Sequence, residues 1–203
     1  MDFKVPIVKA LSRKDVNRAA DIFRERVDSA GLKMSYPIPI MDILEFGYLK
    51  KLYNYEWRTE SMQSGLKGYT EFVERELVLS EETYEGASAG NSSCLFTVAH
   101  ELGHVVLHDR QMTNRLYEQK EIVKLNRGNI EAFKDPEWQA NEFAAAFLMP
   151  FDQVRKILTE NNFFPETEIS FEFGVSDIAA SIRIKNVLKE LKKDPSFRPE
   201  GLF

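Results

Sequence analysis

Cysteine is nearly absent from this sequence, which contains one, Cys94, among 203 residues. A single cysteine excludes an internal disulfide and is typical of proteins of the reducing cytoplasm. No stretch approaches the roughly 18 consecutive apolar residues of a membrane span, and the first residues lack the apolar run of a signal peptide. We therefore expect a cytoplasmic protein that does not enter a membrane.

Positive charge is scarcer than negative charge. The chain has 27 Lys and Arg residues against 32 Asp and Glu residues, and its net charge is −5 at pH 7. Proteins with large nucleic-acid surfaces carry a basic balance, so we expect no direct contact with nucleic acid. Hydrophobic residues at 43% and charged residues at 29% are typical of a globular protein with a sizeable core.

Histidine occurs three times, and two of the three lie in the motif HELGH. The surrounding stretch, residues 92–109, is apolar nearly all round, which predicts a buried helix. Residues four apart share one face of a helix, so His100 and His104 can direct imidazole nitrogens at one metal ion. Glu101 points to the side and is free to act as a general base rather than as a ligand.

A third metal ligand has to come from elsewhere in the chain. His108 lies about 12 Å from His100 along a straight helix, which is too far to share one ion. We interpret His108 as a helix-end residue favoured by the helix dipole. The longer pattern HExxHxxGxxH does not fit, because Leu107 and Arg110 stand where it requires a glycine and a third histidine. The remaining ligand is therefore a carboxylate or Cys94.

Two carboxylates lie in the next predicted helix, residues 136–149, with Asp135 as its N-cap. At 100° per residue, Glu137 falls about 50° from the centre of the apolar stripe of this helix, and Glu142 about 170° from it. We predict that Glu137 faces the interior as the third ligand and that Glu142 faces solvent. Asn141, one turn after Glu137, is placed to hold a ligating imidazole by a hydrogen bond.

Three phrases of the chain, HELGH, EWQANEFAAAFLMP and FGVSDIAASIRIKNV, resemble the ImmA/IrrE family of zinc metallopeptidases. The resemblance extends over roughly residues 68 to 190. It implies a zinc endopeptidase of the gluzincin type, with one zinc per chain held by His100, His104 and Glu137 and with Glu101 as the catalytic base. It also implies a protein substrate: a helix-turn-helix repressor whose cleavage relieves repression of a mobile element or of a stress response.

The pattern of the whole chain predicts an α+β fold, mostly helical, in a single metallopeptidase domain. The expected parts are an N-terminal helical scaffold (residues 12–57), a sheet and catalytic core (58–150), C-terminal helices (151–190) and a tail (191–203). Short alternating runs between residues 52 and 80 predict a small antiparallel sheet beside the HELGH helix, as in zincins. Residues 75–80 would be its last strand, with an edge to which substrate backbone can pair.

The expected chemistry is metal-assisted hydrolysis. Zinc can bring the pKa of a bound water to about 7, so that Glu101 can accept its proton and pass it to the leaving amine. A donor that stabilises the oxyanion is also expected, and Tyr84 and Tyr69 are candidates.

Two other classes of function compete with a peptidase. One is a non-cleaving, metal-bound regulatory module that binds a repressor or senses a ligand. The intact Glu101 speaks against it, because a structural zinc site needs no base. The other is a DNA-binding protein that uses the last helix, capped by Ser176, as the second helix of a helix-turn-helix. The acidic composition speaks against that class and favours packing of this helix onto the catalytic core.

Overall fold

The computed structural model describes residues 4–6, 8–117, 124–126, 132–160 and 164–193. Its α-helices are α1 Arg13–Ala30, α2 Ile40–Glu45, α3 Tyr48–Tyr53, α4 Glu81–Ser88, α5 Ser92–Tyr117, α6 Pro136–Leu148, α7 Phe151–Thr159, α8 Pro165–Phe173 and α9 Asp177–Leu191. Its strands are β1 Lys4–Pro6, β2 Glu56–Glu60, β3 Gly68–Glu71, β4 Glu76–Ser80 and β5 Lys124–Asn126, and a short 3-10 helix, Ala132–Lys134, precedes α6. The mostly helical α+β class predicted from the sequence is confirmed. Part of the charged segment between the third histidine and α6, and the tail beyond residue 193, lie outside the described residues.

Local capping signals set the ends of the first helix. The Ser12 hydroxyl accepts a hydrogen bond from the Asp15 backbone N–H, and the Asp15 carboxylate accepts one from the Ser12 N–H, so both form a capping box. Gly31 ends the helix with a φ of 116°, which a residue with a Cβ rarely adopts. Both ends of α1 are therefore set by residues next to them in the sequence.

The larger sheet is mixed rather than antiparallel, which corrects the prediction from sequence. Its strand order is β2-β4-β3, with β2 parallel and β3 antiparallel to β4. Leu77, Val78 and Leu79 of β4 are all buried, because a central strand has both faces covered. The segment 76–80 is therefore the middle of the sheet, and the edge strand in contact with α5 is β3. The two short strands β1 and β5 pair separately as an antiparallel ladder.

Helices α5 and α6 pack closely because small residues lie between them. A Cβ added to Gly103 of α5 would be 3.1 Å from the Phe143 ring and 3.2 Å from the backbone of Ala140, both on α6. A larger residue at position 103 would push the helices apart. The glycine of HELGH therefore serves the packing that brings the two halves of the site together.

The C-terminal end of α6 is held by two buried arginines from other helices. Arg24 of α1 donates to the carbonyls of Ala146 and Phe147, and Arg183 of α9 donates to the carbonyl of Met149. These carbonyls have no partner within their own helix, so the arginines satisfy them. Arg183 is 1% exposed, and α9 thus packs against the C-terminal end of α6. No helix among the described residues has the length and apolarity needed to cross a bilayer.

Candidate active site

Helix α5 presents the two histidines of HELGH on one face. The side chain of Asn91 accepts hydrogen bonds from the N–H groups of Ser93 and Cys94 and so caps the start of this helix. One turn separates His100 from His104, and their Nε2 atoms lie 3.0 Å apart. Both ligand nitrogens therefore point to the same place, as the spacing of four predicted.

Glu137 reaches this place from the first turn of α6. The Asp135 carboxylate caps α6 by accepting from the Glu137 N–H, which sets where the Glu137 side chain leaves the helix. Its two carboxylate oxygens lie 3.5 Å from His100 Nε2 and 3.6 Å from His104 Nε2. One ligand atom from each of the three side chains lies within 4.8 Å of the other two. The donor set of two imidazoles and one carboxylate is one that divalent metal ions bind.

The Glu137 side chain is 41% exposed, so it lies at the open side of this cluster rather than in the core. Glu137 therefore points to the two imidazoles, but it does not point into the hydrophobic interior as the helical projection predicted. An open side is required of a site that receives a substrate, since a closed donor set has a structural role.

Asn141 contacts the far side of the His100 ring. Its Oδ1 lies 3.0 Å from His100 Nδ1, so the ring donates Nδ1–H to the amide oxygen. With the proton on Nδ1, the lone pair of Nε2 faces the cluster. The structure places Asn141 where the sequence predicted it, one turn after Glu137 on the same side of α6.

Glu101 lies beside the cluster without joining it. Its side chain points to β3, where the Thr70 hydroxyl donates a hydrogen bond of 2.9 Å to Glu101 Oε2. Burial raises the pKa of Glu101 to about 7, against the opposing effects of His100 and of the Thr70 hydrogen bond. A carboxyl with a pKa near 7 can both accept and return a proton at neutral pH. No signal in the sequence pointed to Thr70, because only the packing of β3 on α5 brings it to Glu101.

The two imidazoles differ in their affinity for protons. Burial lowers the pKa of His104 to about 3, assisted by the neighbouring His108 and His100. Burial also opposes protonation of His100, but hydrogen bonding to Glu137 and the charges of Glu101 and Glu137 leave its pKa raised. A metal ion bound between the two Nε2 atoms, which lie 3.0 Å apart, would require both of these nitrogens to be deprotonated.

Glu142 is buried, which corrects the prediction that it faces solvent. It is 6% exposed, and its carboxylate lies 2.9 Å from Arg13 Nε and 3.6 Å from Arg183 Nη1. The helical projection assumed a core on one side of α6 only. In the folded chain α6 is surrounded by α5, α1 and α9, so the face opposite the apolar stripe is covered as well.

His108 is not a helix-end residue, because α5 continues to Tyr117. It is fully buried, its Nδ1 lies 3.1 Å from His104 Nδ1, and its Nε2 lies 3.0 Å from Gln139 Oε1. Burial lowers the pKa of His108 to about 4. The sequence shows that His108 follows His104 by four residues, but the contact of His108 with Gln139 depends on how α6 packs against α5.

The other candidates do not join the cluster. The Tyr84 ring stacks on Trp57 and its hydroxyl donates to Glu45, while the Tyr69 hydroxyl contacts Glu60. Tyr69 precedes Thr70 on β3 and so points to the opposite face of the strand.

Cys94 comes six residues before His100, about 9 Å along the helix. Its sulfur lies against Gly86, 2.5 Å from where a Cβ at that position would stand. The alternative of a thiolate as the third ligand therefore has no support in the geometry.

The fold and the cluster together define a helical metallopeptidase-type domain with an HExxH helix and a glutamate from a second helix. Residues 89–185 match the model of the Peptidase_M78 family, described as the IrrE N-terminal-like domain. This match confirms the resemblance to the ImmA/IrrE family. The segment that carries the cluster is thus similar to this family of metallopeptidases.

A solved structure has a similar fold. A Mycobacterium tuberculosis transcriptional regulator superposes with a TM-score of 0.52 at 16% identity, over 83% of this chain and 46% of that chain. The present chain thus spans about half the length of that regulator. No curated protein matches the sequence.

Proposed function

We propose that this chain is a zinc-dependent endopeptidase of the cytoplasm that cuts a helix-turn-helix transcriptional repressor and so relieves repression of a mobile element or of a stress response. The observation that carries the proposal is the division of labour around α5. His100, His104 and Glu137 converge as metal ligands, while Glu101 stays outside the donor set with its carboxyl held by Thr70. A purely structural metal site needs no such carboxyl outside its set of ligands.

The donor set fits zinc. Three protein ligands, two imidazoles and one carboxylate, would hold zinc as in catalytic rather than structural zinc sites, which have four protein ligands. Zinc bound there would lower the pKa of a coordinated water to about 7 and polarise a substrate carbonyl. Asn141 would keep the His100 ring oriented for this role by accepting its Nδ1–H.

Glu101 acts as the general base and then as the general acid. It accepts a proton from the attacking water and delivers that proton to the nitrogen of the leaving amine. A pKa near 7 suits both transfers. Thr70 holds the carboxylate by its Oε2, which leaves Oε1 to take the proton.

An extended substrate would pair with the outer edge of β3. Within the described residues β3 pairs with β4 on one side and with no strand on the other. Because Thr70 of this strand touches Glu101, a peptide added along β3 would run past the catalytic carboxyl. Only an unfolded linker or a frayed helix of a protein substrate can adopt that conformation.

The choice of substrate rests on the family resemblance. The similarity to a transcriptional regulator concerns the fold, and a shared fold does not identify a substrate. Selectivity for one repressor would come from docking outside the metal cluster, since backbone pairing is the same for every sequence.

The metal can be tested without the substrate. We expect one equivalent of zinc per chain after loading at neutral pH and dialysis, measured by elemental analysis. Glu137→Gln should weaken zinc binding tenfold or more, since loss even of a residue that only supports a ligand costs about 10- to 100-fold. Asn141→Ala should have a smaller effect, and Glu85→Gln, on the exposed side of α4, none. Binding of only trace metal by the parent chain would contradict the proposal.

The reaction is tested with the repressor encoded nearest to this chain. Zinc-loaded protein is incubated with that repressor, and the fragments are identified by mass spectrometry. Glu101→Gln should abolish cleavage while zinc stays bound, because Glu101 is not a ligand. Equal cleavage by parent and variant would refute the role of Glu101. If neither cuts but both bind the repressor, the chain is a non-cleaving regulatory module.

A further inference from the structure

A second histidine pair extends the site into the interior. His108 lies one turn after His104 on α5 and is fully buried. Its two ring nitrogens make two contacts, at 3.1 Å to His104 Nδ1 and at 3.0 Å to Gln139 Oε1. A chain of three side chains therefore leads from a proposed metal ligand to α6.

The direction of each hydrogen bond between these three side chains follows from the contacts of Gln139. The amide nitrogen of Gln139 donates to the carbonyls of Lys9, at 2.9 Å, and Phe133, at 2.7 Å. Carbonyl oxygens can only accept, so the amide cannot be flipped. Gln139 Oε1 therefore faces His108 and can only accept from it.

The remaining protons are then determined. His108 must donate Nε2–H to Gln139 Oε1. A buried imidazole whose described partners include no carboxylate stays neutral and carries one N–H, so Nδ1 of His108 is an acceptor. His104 must donate Nδ1–H to it, which leaves the lone pair on Nε2 of His104.

We propose that Gln139 and His108 form a positioning relay that fixes the tautomer and the ring orientation of His104, so that its Nε2 is presented to the metal cluster as a lone pair. The relay ends on the backbone of two segments, the one before α1 and the one before α6. His104 is thereby oriented from the protein backbone through two buried side chains. His100 has a single amide, Asn141, in the corresponding position. The part of the proposal that concerns metal affinity rests on the proposed function, whereas the tautomers do not.

Two substitutions at position 108 separate a relay from simple packing. His108→Asn keeps an acceptor near the place of Nδ1, because the amide oxygen of asparagine can occupy that position. His108→Leu fills the buried space with an apolar side chain and removes the acceptor. The control is Met112→Leu, a volume-conserving change at a buried position one turn further along α5.

The measurements are the zinc dissociation constant by chelator competition, the visible spectrum of the cobalt-loaded protein, and thermal unfolding of the metal-free variants. We expect His108→Leu to weaken zinc binding about 10- to 100-fold and to alter the cobalt spectrum. His108→Asn should retain most of the affinity, and Met112→Leu all of it. If packing were the only role of His108, the leucine variant would bind zinc as well as the asparagine variant or better, and that result would overturn the relay.

The tautomers can be read directly by nitrogen-15 NMR, since the chain has only three histidines. The parent protein, with or without zinc, should show His104 protonated at Nδ1 and His108 at Nε2. A proton on Nε2 of His104 would overturn the relay even if His108→Leu failed to fold. Absence of zinc binding by the parent would refute the proposed function alone, because the tautomers in the metal-free protein still decide the relay.

Discussion

Glu101→Gln should stabilise the metal-free protein, and by an amount that depends on pH. The Glu101 side chain is 5% exposed, and burial raises its pKa from 4.5 to about 7. In the unfolded chain the same carboxyl ionises near its ordinary pKa. Glutamine resembles the protonated carboxyl in shape and can still accept from Thr70, but it never acquires a charge.

The sign and size of the effect follow from proton linkage. Below pH 4.5 the carboxyl is protonated in both states and carries no penalty. Between pH 4.5 and 7 the unfolded state loses the proton first, so the parent loses stability as the pH rises. A pKa raised from 4.5 to about 7 corresponds to about 3 kcal/mol at pH 8. For a chain of this length that free energy corresponds to roughly 6 to 12 °C in Tm.

The assay is chemical denaturation of parent and variant at several pH values between 4 and 8, with a chelator present. The two proteins should be equally stable near pH 4.5, and the variant should gain about 3 kcal/mol by pH 8. His104 and His108, whose pKa values are lowered, are present in both proteins, so their effects largely cancel in the difference. Glu85→Gln serves as the matched control at an exposed position. A difference that stays within about 0.5 kcal/mol over this range, as for an ordinary surface substitution, would refute the reasoning.

Three further predictions concern residues that the fold brings to the site. Glu142→Leu should lower the free energy of unfolding by about 3 kcal/mol or more, because it leaves the buried Arg183 guanidinium without its carboxylate. Equilibrium denaturation of the metal-free protein measures this loss, and an unchanged midpoint would contradict the prediction. Gly103→Ala should cost about 1–3 kcal/mol and weaken zinc binding, because its Cβ would meet Phe143 at 3.1 Å; thermal unfolding and chelator competition would show both losses. Thr70→Val should lower kcat while leaving zinc affinity near that of the parent, because it removes the hydrogen bond that holds the Glu101 carboxylate. If the variant instead lost zinc, Thr70 would be supporting the metal ligands and not the base.

The sequence by itself determined the features that depend on neighbours along one helix. The spacing of four in HELGH places His100 and His104 on one face whatever the rest of the chain does. Caps act within a single turn, so Asp135 predicted the start of α6 and hence the position of Glu137. Asn141 follows from the same helix by one turn.

Only the tertiary structure decided what lies across from these helices. Helical projection predicted an exposed Glu142, but α1 and α9 cover that face and supply two arginines to the carboxylate. The sequence pattern predicts an edge strand at residues 75–80, but β4 pairs on both sides and lies in the middle of the sheet, with β3 at an edge.

The hydrogen bonds that hold Glu101 and His108 join residues far apart in the chain. Thr70 is 31 residues from Glu101, and Gln139 is 31 residues from His108. Periodicity along one element cannot indicate such contacts, because they depend on the relative placement of two elements. The sequence therefore determined the expected ligands and base of this protein, and the packing of α5 against α6 and β3 decided which side chains hold them in place.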